Sequence, residues 1–203
     1  MKTEHLLASQ PGTIERAARY LRAGHLVVFP TDTVYGIGAN TFNEAALEAL
    51  YRVKRRSRTK GIPVLLADGD DLPKVVRSVP PGVYTLIERF WPGPLTLVLP
   101  RRVDLPPNLS PNENVAVRIP DEEIARALIR TAGGAIATSS ANQSGEAPAR
   151  DARAALAVLS GVVAAVVDGG PAAHGTPSTI VDCTRVPFRI LRAGPLSAET
   201  LSL

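Results

Sequence analysis

The sequence predicts an α/β fold, an open twisted mixed β-sheet flanked by helices, and three observations carry that prediction. Short apolar runs alternate with amphipathic helical stretches along most of the 203 residues, the pattern of strands covered by helices. The stretch from Gly93 to Val117 has strand signals with no crossover helix between them, so antiparallel pairs must be mixed with parallel ones. The 18 prolines imply frequent sharp chain reversals, as closely connected elements require.

The elements follow in order. Thr13 can N-cap a helix whose Ile14, Ala17, Ala18 and Leu21 share a face, stopped at Gly24. Leu26 to Phe29 reads as a short buried strand closed by Pro30, and TDTVYGIGAN after it as a loop. In that loop Gly36 and Gly38 permit unusual backbone angles or close approach of a ligand. Asn43 begins a second helix with Ala46, Leu47, Leu50 and Tyr51 inward. Ile62 to Ala67 is a strand, Pro81 to Phe90 a helix ended by Trp91-Pro92-Gly93-Pro94, and Leu95 to Leu99 is extended. The Pro-rich piece from Arg101 to Asn112 is a surface loop. Asn114 to Ile119 alternates as a strand, and Asp121 opens a helix stopped by Gly133-Gly134. Ala135 to Thr138 is a strand running into the polar loop SSANQSG, and Asp151 caps a helix to Leu159. Strands near Val163–Val167, Thr179–Asp182 and Phe188–Leu191 complete the chain. No repeat or interdomain linker interrupts it, so one domain over residues 1–203 is expected.

Charge is distributed unevenly. The formal net charge is +4, yet RVKRRSRTK, Arg52 to Lys60, holds six of the 23 Lys and Arg residues and no acid. Without that segment 17 basic residues face 19 acidic ones. A basic excess confined to one segment points to a local anion site more than to a surface-wide nucleic-acid coat.

Several chemistries are excluded. There is no GxxxxGK[ST], and Thr41 breaks the GxGxxG that Gly36 and Gly38 would begin. No GxSxG elbow is present. One cysteine and the scattered His5, His25 and His174 do not make a zinc site, and no protein-held metal is expected. Cys183 beside Ile180-Val181-Asp182 reads as a packed small hydrophobe. A single cysteine fits a reducing compartment. With no signal-peptide pattern at the N-terminus and no long apolar run, a cytoplasmic protein with no membrane partner is expected.

Four polar segments interrupt the apolar strands: PTDTVYG (30–36), KRRSRTK (54–60), TSSANQSG (138–145) and GTPSTIVD (175–182). Loops beyond strand ends of an α/β sheet converge on one crevice, where ligands sit. Hydroxyls and backbone N–H groups bind phosphate or carboxylate oxygens, and Lys and Arg add charge-assisted bonds. Each segment alone has an ordinary explanation: a turn cap for TDT, a Ser/Asn turn for SSAN, a macrodipole complement for the basic helix end. Their joint presence shifts the balance toward a site whose chemistry rests on positioning and charge neutralisation.

PTDTVYGIGAN, the K-x-R of Lys54 and Arg56 with Lys60 following, FWPGPLTLVLP, VAVRIP, SSAN-x-SG and the STIVD-to-LRAG ending together resemble the YrdC-like L-threonylcarbamoyladenylate synthases, in their short form. The motifs keep the family's order from about Ala23 to Gly194. The resemblance implies a YrdC-like fold with a large basic cavity. It also implies formation of L-threonylcarbamoyladenylate and pyrophosphate from L-threonine, bicarbonate and ATP, with Mg²⁺ accompanying ATP. That product feeds threonylcarbamoylation of the adenosine next to the anticodon in tRNA, which in bacteria a separate transferase complex completes. That complex, and tRNA or double-stranded RNA itself, are further partners to consider.

Carried over by motif, Thr33, Arg118, Thr138 and Ser178 are expected on L-threonine. Lys54, Arg56, Lys60, Asn114, Ser140, Asn142 and Arg192 are expected on ATP, with Lys54 and Arg56 as the catalytic cations. Asp32 and Tyr35 are pocket or supporting groups, with plain core packing the alternative for Tyr35. The chain departs from the family in Ser57, where a proline is frequent, in the added Arg55 and Arg58, and in Leu65, where some members carry histidine. Arg52, Arg55 and Arg58 are left as solvated neighbours or a landing surface. A non-catalytic RNA-binding module and a carbamoyl-adenylate domain of hydrogenase maturation are the rival classes. The first predicts steep salt dependence without ATP turnover; the second is disfavoured by the lack of attached acylphosphatase or zinc-finger-like regions.

Overall fold

A computed structural model describes residues 2–143 and 145–203; Met1 and Ser144, the latter in the SSANQSG loop, lie outside the described residues. Among the described residues ten strands form one mixed sheet, ordered β1-β8-β2-β3-β7-β4-β6-β5-β9-β10. In chain order the strands are β1 (Glu4–Leu7), β2 (Val27–Phe29), β3 (Gly36–Asn40), β4 (Val64–Leu66), β5 (Leu95–Pro100), β6 (Asn114–Arg118), β7 (Ala135–Ser140), β8 (Ala165–Asp168), β9 (Thr179–Asp182) and β10 (Arg189–Arg192). The helices are α1 (Thr13–Arg22), α2 (Glu44–Lys54), α3 (Val83–Phe90), α4 (Glu123–Ala132), α5 (Ala152–Leu159) and α6 (Ala198–Leu201), with 3-10 turns at Gly69–Lys74 and Pro107–Leu109. Parallel pairs such as β1/β8 and β4/β6 sit among antiparallel ones such as β3/β7 and β5/β6. The expected mixed α/β sheet is what forms.

Strand alternation divides the core between the two faces. Val28, Val64, Leu66, Ala137, Val117, Leu97 and Val181 pack on one face with residues of α2, α3 and α5. Val27, Phe29, Leu65, Ile136, Ala165 and Val167 pack on the other, beneath Ala17, Ala18 and Leu21 of α1 and Ala125, Leu128 and Ile129 of α4. The same alternation sends Thr96, Arg118, Thr138 and Ile180 to the α1/α4 face, because their strand neighbours Leu95, Val117, Ala137 and Val181 point the other way.

Several expectations are corrected. Gly36–Asn40 is a strand, not a loop, paired with both β2 and β7. Its glycines serve packing rather than unusual angles: a Cβ on Gly36 would meet Thr138 Cγ2 at 2.7 Å, and one on Gly38 would meet Ile136 Cγ2 and Phe29 Cε1 at 2.8 Å. The cap of α1 is Gly12, at φ 79°, while Thr13 Oγ1 donates to Leu7 O at 2.8 Å. Glu122, not Asp121, caps α4, accepting from Ile124 N. Asn43 and Asp151 cap α2 and α5 as expected, accepting from Ala46 N and Ala154 N. β1, α6 and the two 3-10 turns were not anticipated; β1 buries one side chain, Leu6, so its short run carries little pattern.

Candidate active site

The four polar segments meet. A cavity of about 170 Å³ is lined by Thr31 and Thr33 of the first, Arg56 of the second, Thr138 to Ser140 of the third and Pro177 and Ser178 of the fourth. Thr96, Arg118 and Arg192 complete its polar wall; Val34, Pro63, Leu65 and Ile180 are its apolar part, and Tyr35 and Gly36 also border it. The wall lies on the α1/α4 side of the sheet: Leu65 pairs with Arg118, Gly36 with Ser140 and Thr96 with Ile180 in register.

Arg118 is buried, 5% exposed. Its Nε donates to Gly93 O at 2.9 Å, one terminal nitrogen to Thr33 Oγ1 at 2.8 Å and the other to Asp32 Oδ1. Each terminal nitrogen retains a further N–H for a ligand. Burial weakens the guanidinium's hold on its proton, and the charge and hydrogen bond of Asp32 offset this. Thr33 is fixed in turn by Thr31 Oγ1, 2.9 Å away, which also donates to Val34 O at 2.6 Å. Asp32 is a supporting group off the wall, with Oδ2 buried and without a partner among the described residues.

Arg192 and Arg56 also line the cavity. Arg192 is anchored on Ser178 O by Nε at 3.0 Å and by a terminal nitrogen at 2.7 Å, and Ser178 Oγ lies 2.7 Å from Thr96 Oγ1. Arg56 is anchored on backbone carbonyls, donating from Nε to Lys60 O at 3.1 Å and from a terminal nitrogen to Gly61 O at 2.6 Å. Both guanidinium pKa values are depressed by burial; for Arg192 the charges of Arg118 and Arg56 add to it. Three cations therefore repel one another across a wall that carries no carboxylate among the described residues. Such a cavity favours an anion.

Other expected residues are off the wall. Lys54 and Asn142 are buried together behind Ser140. Lys60 is exposed, and Asn114 begins β6 opposite Pro100, at the far end from Arg118. Tyr35 borders the cavity yet is packed in the core: its OH donates to Gly170 O at 2.7 Å, and burial pushes its pKa up to about 12. Cys183 is likewise buried, its thiol pushed up to about 12 by desolvation. Arg58 pairs with Glu48 and covers the Tyr51 ring at 4.7 Å. Thr31 and Thr96 were missed; a lone threonine in the apolar run LTLVLP is the signal that would have found Thr96. No group of three or more His, Cys, Asp or Glu among the described residues could hold a metal. No helix among them is long and apolar enough to cross a membrane.

The Sua5_yciO_yrdC family model, described as "Telomere recombination", matches residues 19–194. The chain is 40% identical over 201 residues to a threonylcarbamoyl-AMP synthase of Bacillus subtilis, covering 98% of this chain and 58% of the relative. It is 38% identical over 189 residues to that of Pyrococcus abyssi, covering 93% of this chain and 56% of the relative. The chain thus spans a little over half the length of each. The crystal structure of P. abyssi Sua5 complexed with L-threonine superposes with a TM-score of 0.94 at 35% identity, over 100% of this chain and 60% of that one. With the match running through all four cavity-lining segments, the chain belongs to the Sua5/YciO/YrdC family.

Proposed function

We propose that the chain is an L-threonylcarbamoyladenylate synthase, a nucleotidyltransferase that forms threonylcarbamoyl-AMP and pyrophosphate from L-threonine, bicarbonate and ATP. The observation that carries the proposal is the convergence of Arg56, Arg118 and Arg192 on one cavity with no carboxylate on its wall among the described residues. The likeness to the P. abyssi protein bound to L-threonine supports the amino-acid half.

The amino acid takes the side of Arg118. Its carboxylate meets the free N–H groups of Arg118, and Thr33, Thr138 and Ser178 supply hydroxyls around it. Leu65 presents an apolar wall to the threonine methyl where some family members place a histidine. ATP takes the side of Arg56 and Arg192 beside Ser140; Lys60 and Asn114 lie further out, and Asn142 supports Ser140 from behind. Mg²⁺ enters as MgATP: cations and hydroxyls suit a phosphate-borne ion, and among the described residues there is no carboxylate cluster to hold one independently.

In the reaction the threonine amine and bicarbonate condense to a carbamate with loss of water. A carbamate oxygen then attacks the α-phosphorus, and the bond to the leaving pyrophosphate breaks. All reactants are anionic near the reacting atoms, so the fixed guanidinium groups offset their repulsion and hold them in line. No side-chain nucleophile is needed. The product serves threonylcarbamoylation of the adenosine next to the tRNA anticodon, through a separate transferase.

Pyrophosphate release tests the proposal. Purified protein with MgATP, bicarbonate and L-threonine should release pyrophosphate only when threonine is present; threonine-independent release, or none, overturns it. ATP-independent, salt-sensitive binding of RNA in place of turnover would support the RNA-module class.

A further inference from the structure

Lys54 and Arg56 are adjacent members of the K-x-R motif, yet the fold uses them differently. Lys54 is the last residue of α2, and Arg55 closes that helix in the left-handed conformation at φ 48°. The reversal carries Arg56 to the cavity wall, which Lys54 does not join. The Lys54 side chain is 3% exposed. Its ammonium donates to Ser140 O at 2.7 Å and to both the backbone O and Oδ1 of Asn142. An ammonium has three N–H groups and no acceptor, so these contacts occupy its hydrogen-bonding capacity.

The acceptors belong to one turn. Ser140 Oγ donates to Asn142 Oδ1 at 2.7 Å, and Asn142 Nδ2 donates to Glu146 O at 2.5 Å. Ser140 faces the cavity from the front of this turn while Lys54 holds it from behind. A buried ammonium with only neutral direct partners is costly, and a phosphate contact would require it to surrender a bond to the turn.

We infer that Lys54 is a positioning residue of the nucleotide site: its ammonium fixes the turn at residues 140–142, and thereby Ser140, and does not contact the phosphates of ATP. The inference rests on the synthase reading for its functional consequence. The residue that touches phosphate is Arg56, two positions on.

Nucleotide binding to Lys54→Met and wild-type protein separates the two roles, with AMP, ADP and ATP titrated calorimetrically. Displacing Ser140 weakens all three by the same factor, about tenfold to a hundredfold for a misplacement of this kind. A loss that grows from AMP to ATP would mean a direct phosphate contact and overturns the inference. Wild-type affinity should also fall as pH rises through about 8, where Lys54, depressed by its burial and then by the charge of Arg56, gives up its proton; Lys54→Met should lack that step. A step of equal size in the variant counts against the inference.

Amide hydrogen exchange on ligand-free protein supplies a readout independent of nucleotide. Lys54→Met should exchange faster at residues 140–143 and not elsewhere; unchanged exchange there overturns the inference. Lys54→Arg, which keeps the charge, is the variant to use if Lys54→Met does not fold. Wild-type protein that binds no nucleotide would sink the synthase reading, while exchange would still decide whether Lys54 holds the turn.

Discussion

Truncating Arg118 leaves a carboxylate buried without its counter-ion, since Asp32 is 4% exposed and accepts from that guanidinium. Arg118→Met should therefore destabilise the protein by about 3–5 kcal/mol as well as abolish threonine use. Adding Asp32→Asn should recover much of the stability and none of the activity, a split that chemical denaturation and pyrophosphate release read separately. Arg56→Ala carries no such structural penalty from an unpaired partner, because its anchors are the carbonyls of Lys60 and Gly61. It should raise the KM for ATP and leave threonine binding within a few-fold, which calorimetry checks. Lys54 adds a pH signature to stability. Its folded-state pKa of about 8 lies below the 10.5 of a free lysine side chain, so between those values the unfolded chain holds the extra proton. Stability relative to Lys54→Met should then rise with pH across that window, measured as the difference in unfolding free energy at the two ends.

At the scale of elements, the glycines of β3 let three strands approach. Gly38→Ala would drive a Cβ into Ile136 and Phe29, an overpacking expected to cost about 1–3 kcal/mol. The clash made by Gly36→Ala falls on Thr138, so that change should also impair threonine binding. Denaturation midpoints and calorimetry on the two variants distinguish these outcomes. In sequence β3 looks like a loop because glycine is permissive and strand propensity does not favour it. What makes it a strand is pairing on both sides, from β2 and β7, which lies outside any local window. α2 was legible by contrast: Asn43 caps it, Ala46, Leu47, Leu50 and Tyr51 face inward, and the chain needs only its own spacing to show this. Arg118 and Thr138 owe their place on the wall to strand phase, since Val117 and Ala137 beside them are claimed by the core of the opposite face.

Across the whole molecule the cavity concentrates three guanidinium groups, and an anion that relieves their repulsion should stabilise the fold. MgATP at 100 times its Kd contributes about 2.7 kcal/mol by mass action. For a domain of this size each kcal/mol raises Tm by about 2–4 °C, so thermal melts should show a rise of about 5–10 °C. Arg56→Ala should shrink that rise at the same MgATP concentration, and equal shifts in both proteins would place the nucleotide elsewhere. The sequence by itself determined the α/β class, the alternation that gives the sheet its two covered faces, and the segments that would meet. These depend on spacing and composition, which a chain displays locally. Only the tertiary structure decided how the basic run divides: Arg56 to the cavity, Lys54 to the turn behind Ser140, Arg58 to Glu48. Residues adjacent in sequence carry the same charge and look alike there. The left-handed cap at Arg55 and the acceptors awaiting each side chain lie across the fold, so their separation appears only when distant segments are brought together.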